Sequence, residues 1–205
     1  MEYVLEIAAI LLASALVMIL HELPKSIMYV LTSRHCRKED RFHIFKLHQY
    51  IDPIGMIMFV ICHAGASRPY PYRLKEKDTN IAIGMIGFLS LIVMILGGYI
   101  IYLQILTRFP IVFNVGAENP GMYLLVKFSW YFIYASIALF IVNLFPTATS
   151  DIFLLIVAVA PSKLVSLLKY DSVIKVIMFM FFIFQYIQSW SLTVMDIMYE
   201  FLGFI

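Results

Sequence analysis

The sequence predicts an all-α integral membrane protein of about four to five transmembrane helices, and three observations carry that prediction. Hydrophobic residues make up 62% of the 205 and charged residues only 14%, whereas water-soluble domains run at about 45–50% and about 25%. The mean hydropathy is +0.91. Three stretches, 79–107, 128–150 and 176–195, contain no Asp, Glu, Lys or Arg, and a crossing helix needs about 20 mostly apolar residues. The same figures exclude a disordered chain and a nucleic-acid-binding arm. With only Cys36 and Cys62, a disulfide-stapled secreted domain is excluded as well. The chain is read as a single membrane domain over residues 1–205.

The first span is placed over about 4–32. Its apolar run, 7–20, is interrupted by His21 and Glu22 and resumes from Ser26 to Leu31. The flank before it is acidic (Glu2, Glu6) and no small-residue cleavage site follows, so it is not a signal peptide. Residues 54–66 are apolar but too short to cross, which points to a re-entrant segment over 52–72. Basic residues support that choice. Arg34, Arg37, Lys38, Arg41 and Lys46 precede the apolar run 54–66, and Arg68, Arg73, Lys75 and Lys77 follow that run. A full crossing between these clusters would place one of them outside, against the preference of Lys and Arg for the cytoplasm.

Further spans follow at 79–107, 122–146 and 173–199, with an inner-surface helix over 151–168 that begins at Asp151. On this topology the basic loops over 33–79 are cytoplasmic and residues 108–120 form the outer connection, with Arg108 its one basic residue. His21, Glu22 and Asp151 then share the inner leaflet. Cys36 and Cys62 face a reducing compartment, so free thiols are expected.

An ionisable group at membrane depth is costly and by default marks a functional site with a partner to be named. The adjacent His21 and Glu22 could be a metal ligand beside a general base, as in the His-Glu-x-x-His signature, whose two histidines share a helix face. From the pair alone, a structural polar pair near the headgroups is the commoner reading. Four residues beyond His21 stands Lys25, whose ammonium has no lone pair for a metal.

Around this pair the sequence resembles the site-2 protease family of intramembrane zinc metalloproteases. His21-Glu22-Leu23-Pro24-Lys25-Ser26 sits where the family has His-Glu-Leu-Gly-His-Ala. Ile51-Asp52-Pro53-Ile54-Gly55 is similar to its Ile-Asp-Pro-Leu-Gly, and Gly65-Ala66-Ser67-Arg68-Pro69-Tyr70-Pro71-Tyr72 to its Gly-Trp-Ala-Lys-Pro-Val-Pro-Val. Asn143-Leu144-Phe145-Pro146, with Asp151 after it, follows the Asn-x-x-Pro-x-x-x-x-Asp pattern that supplies the third zinc ligand. The resemblance implies a site-2-protease-like core, with His21 and Asp151 as metal ligands if a metal binds and Glu22 as the catalytic base if the chain is active. It also implies a substrate groove between the first span, the re-entrant segment and the third span, near Asn143 and Pro146.

The departures from the family pattern fall on the site. Lys25 replaces the second histidine ligand, Pro24 replaces a small residue, and Asp151-Ile152 replaces Asp-Gly. The middle-span Ala-Gly-Pro-x-x-Asn, which helps hold substrate in the family, is Ile86-Gly87-Phe88-Leu89-Ser90-Leu91. Lys25 is therefore expected either to replace the metal in a Glu22/Lys25/Asp151 cluster or to snorkel toward the headgroups. The reading that follows is a catalytically inactive, pseudoprotease-like protein without a cofactor. It would be surrounded by lipid in a prokaryotic plasma membrane and bind a transmembrane protein or peptide, with no nucleic-acid partner.

Two alternatives stay open. An active zinc metalloprotease would need a relocated ligand, from among His43, His48 and His63. A small transporter or channel subunit would need more than one intramembrane acid–base cluster or matching broken spans.

Overall fold

The computed structural model describes residues 2–33, 43–69, 76–108 and 119–202. Among them there is no strand, and the helices follow in the order α1 (Glu2–Thr32), α2 (Pro53–Cys62), α3 (Lys77–Arg108), α4 (Pro120–Asn143), α5 (Asp151–Val159), α6 (Leu164–Ile183) and α7 (Tyr186–Leu202). Short 3-10 turns, Leu47–Tyr50 and Pro161–Lys163, precede α2 and α6. Three helices, α1, α3 and α4, are long and apolar enough to cross a membrane. Arg34, Arg37, Lys38, Arg41, Arg73, Lys75 and Cys36, the stretch 70–72 and most of the expected outer connection lie outside the described residues.

The three long helices pack pairwise into the centre of the fold. On α1, Ala9, Ala13 and Val17 recur every fourth residue and are wholly buried. They join Tyr134, Ala135, Ala138 and Leu139 of α4 in the main core cluster. Small side chains on a common stripe let helix backbones approach closely, which is how helices associate where lipid offers no hydrophobic drive. α1 runs unbroken through Pro24. On the outer side of the bundle α5 packs on α3, and α7 packs on α4.

The segment read as re-entrant turns back on itself. Asp52 caps α2 by accepting from the Ile54 N–H at 3.2 Å, and Pro53 follows at the first helical position, where its missing N–H costs nothing. The helix stops at His63, whose φ of 53° places it in the left-handed region. From there the chain returns without regular structure until the Arg68 N–H donates to the Tyr50 carbonyl at 3.3 Å, beside the point of entry. Both limbs touch through glycine: a Cβ on Gly55 would overlap the Ala66 carbonyl oxygen, and one on Gly65 would overlap the Gly55 carbonyl oxygen. Gly55 lies level with Met18 of α1, and the tip lies level with Ile10. The hairpin thus climbs about 12 Å along α1 at 1.5 Å per residue.

Two expectations need correction. The span expected over 173–199 is two helices, because the chain breaks between Ile183 and Tyr186 with Gln185 at φ 58°. Absence of charge measures apolarity and does not register a backbone turn. The break lets α7 bury Ile187 and Ser191 against its neighbours. The surface helix expected over 151–168 ends at Val159. Pro161 cannot continue the helix, and it disfavours helical geometry at Ala160, which adopts φ −130°.

Candidate functional site

The sequence-selected residues meet in one buried cluster. His21, Glu22 and Lys25 share a face of α1, since residues three and four apart on a helix are neighbours. Asp151 opens α5 against them, and all four are 0–1% exposed. The Lys25 Nζ lies 2.7 Å from Asp151 Oδ1 and 3.0 Å from Glu22 Oε1. His21 Nε2 is 3.3 Å from Asp151 Oδ2 and 3.6 Å from Glu22 Oε1. The ammonium thus joins the two carboxylates, with the imidazole beside it at 3.4 Å. Snorkelling of Lys25, one of the two expectations for it, is ruled out by this burial.

Local sequence explains how Asp151 is delivered. Ser150 caps α5, its hydroxyl accepting from the Phe153 N–H at 3.3 Å. Asp151 then occupies the first turn, where the helix dipole favours a carboxylate. At the end of α4 the Asn143 side-chain amide donates to the Leu139 carbonyl at 3.0 Å, and its Oδ1 accepts from the Asp151 N–H at 3.2 Å. Asn143 Nδ2 also lies 3.5 Å from His21 Nε2. The spacing between Asn143 and Asp151 therefore has a mechanical meaning: the asparagine clamps the start of α5 to the end of α4.

Three further residues complete the cluster: two serines that sequence reasoning did not single out, and Gly87, the one residue retained from the family's middle-span pattern. Ser67, on the returning limb of the hairpin, donates to Glu22 Oε1 at 2.6 Å. Ser90 of α3 lies 3.2 Å from His21 Nδ1 and donates to the Gly87 carbonyl at 2.7 Å. Gly87 itself makes room, because a Cβ there would overlap the Asp151 carboxylate. Ser67 falls within a segment that carries the family resemblance and Ser90 within one that departs from it, and nothing in their residue type marks a serine as a partner of a buried charge.

Chains represented by family models, curated proteins and solved structures offer no match to this one. The site is therefore read from its own chemistry. A catalytic zinc takes three protein ligands at about 2 Å and leaves a position for water. Here His21 and Asp151 supply a nitrogen and an oxygen, while the third place belongs to an ammonium that cannot donate an electron pair. Among the described residues no three His, Cys, Asp or Glu side chains are grouped to hold a metal ion. The residues present do not fit zinc.

Candidates for a relocated ligand lie elsewhere. His43 and His48 are exposed before α2, and His63 sits at the hairpin tip beside Tyr134. Below the cluster, Tyr50 is fully buried and donates to the Ile44 carbonyl. Burial pushes its hydroxyl above the ordinary tyrosine value.

The groove that the resemblance implies between α1, the hairpin and α4 is not an open cleft. Phe59, Cys62 and Ala64 of the hairpin pack into the main core with α1 and α4, which leaves between those elements a void of only about 10 Å³ at the hairpin tip. A cavity of about 630 Å³ opens between α3, α4 and α7. Pro146 lines it with Ile92, Phe140, Ile141 and Trp190, whereas Asn143 turns to the buried cluster. Of the two residues assigned to the groove, only Pro146 borders an open cleft.

Proposed function

We propose that the chain is a site-2-protease-like membrane protein that has exchanged its metal for Lys25 and binds a hydrophobic segment of another membrane protein without cleaving it. It is a multi-pass protein of a prokaryotic plasma membrane, lipid-surrounded, with the loops over 33–79 cytoplasmic. The observation that carries the reading is the Lys25 ammonium, buried between Glu22 and Asp151. A base held in an ion pair at 3.0 Å and sharing the same oxygen with Ser67 is poorly placed to deprotonate a water. Binding is supported by the apolar cleft between α3, α4 and α7, since an apolar concavity lined by aromatic and aliphatic side chains suits a hydrophobic occupant.

Photo-crosslinking in membranes tests this reading. A photoreactive residue at position 141, in the cleft, is expected to form an adduct with a membrane-spanning segment of another protein. The same residue at position 12, an exposed position on α1, is expected to form none. The adduct should be full-length and unchanged in Glu22→Gln. A shortened product that disappears in Glu22→Gln would instead favour the active protease.

A further inference from the structure

At the tip of the re-entrant hairpin two buried polar atoms belong to residues that line a common void. His63 Nδ1 and the Tyr134 hydroxyl each lack a hydrogen-bond partner among the described residues, and Tyr134 is only 2% exposed. Their rings stand edge to face with centroids 6.3 Å apart. Between them lies a small cavity of about 10 Å³, walled also by Ile10, Phe59, Tyr131 and Ala135. The neighbouring polar groups are already engaged: Tyr131 donates to Glu6 Oε1 at 2.7 Å, and Lys127 donates to the same oxygen at 3.2 Å.

An unpaired hydroxyl and an unpaired imidazole nitrogen in a dry interior are costly, and buried polar groups almost always find a partner. A void holds water when it offers about 10–15 Å³ and two or more polar partners. This one meets both conditions. We propose that the cavity is a binding site for a single water molecule that bridges His63 Nδ1 and the Tyr134 hydroxyl, latching the hairpin tip to α4. The left-handed backbone of His63 holds the imidazole at the turn, so the latch acts where the hairpin reverses. It is independent of the Lys25 cluster and of the reading built on it.

Two measurements decide the matter. An experimental structure of the intact protein at a resolution that shows ordered water should place one peak within hydrogen-bond distance of both atoms. An empty cavity, a direct contact between the two side chains, or a water touching only one of them overturns the proposal. The second measurement uses Cys62, buried next to the tip, as a reporter of hairpin opening in a Cys36→Ser background. Tyr134→Phe should raise its alkylation rate about fivefold, the effect of losing one water-mediated bond. An unchanged rate overturns the latch. Should Tyr134→Phe fail to fold, the water position in the unmodified protein still decides.

Discussion

Replacing Lys25 by methionine is expected to destabilise the folded protein by about 3–5 kcal/mol, the effect of removing one partner from a buried ion pair. The size follows from what remains. Glu22 and Asp151 are 0–1% exposed, and without the ammonium at 2.7 Å and 3.0 Å two carboxylates would face each other across a dry site. Thermal unfolding in detergent should show the loss, along with a lower yield of monodisperse protein. The triple change Lys25→Met, Glu22→Gln, Asp151→Asn should recover most of it, because replacing a whole buried ion cluster by neutral groups is often near neutral. Equal stability of the single variant and the unmodified protein would mean that the ammonium does not hold the cluster together.

A second large effect is expected from Lys25→His. That substitution sets two histidines four residues apart on one helix face, with Asp151 opposite, which is a three-ligand set for zinc. The variant is expected to purify with about one zinc per chain and to lose it on the further change Asp151→Asn. Metal analysis of the two variants side by side reads the result. A variant that stays metal-free would show that the backbone around Pro24 no longer presents the ligand geometry, and that the resemblance of this segment to a metal site is only in the letters.

Much of the architecture was legible because it is written in charge. The empty stretches located α3 and α4, the hydropathy around His21 and Glu22 located α1, and the short apolar run after Asp52 fitted a hairpin that returns to its point of entry. The meeting of Lys25 with Asp151 was expected from the topology, which puts His21, Glu22 and Asp151 at the same leaflet, and from the Asn143 to Asp151 pattern that the family resemblance supplied; helix periodicity accounts only for Lys25 beside Glu22.

What stayed hidden depends on single backbone angles or on which atoms happen to face each other. The break at Gln185 lies in a run without Asp, Glu, Lys or Arg and leaves no mark in the charge pattern. Ser67 and Ser90 bond Glu22 and His21 across 45 and 69 residues, distances over which no periodicity operates. The large cleft escaped for the same reason, since it forms only where α7 folds back onto α4 after that break.

The central claim is that the Lys25 ammonium occupies the place of a metal, and metal content of the unmodified protein tests it most directly. Protein purified from cells grown with ample zinc, without chelator, is predicted to contain far less than one metal ion per chain, and His21→Ala should leave that value unchanged. Zinc at one equivalent per chain, lost on His21→Ala, would contradict the account.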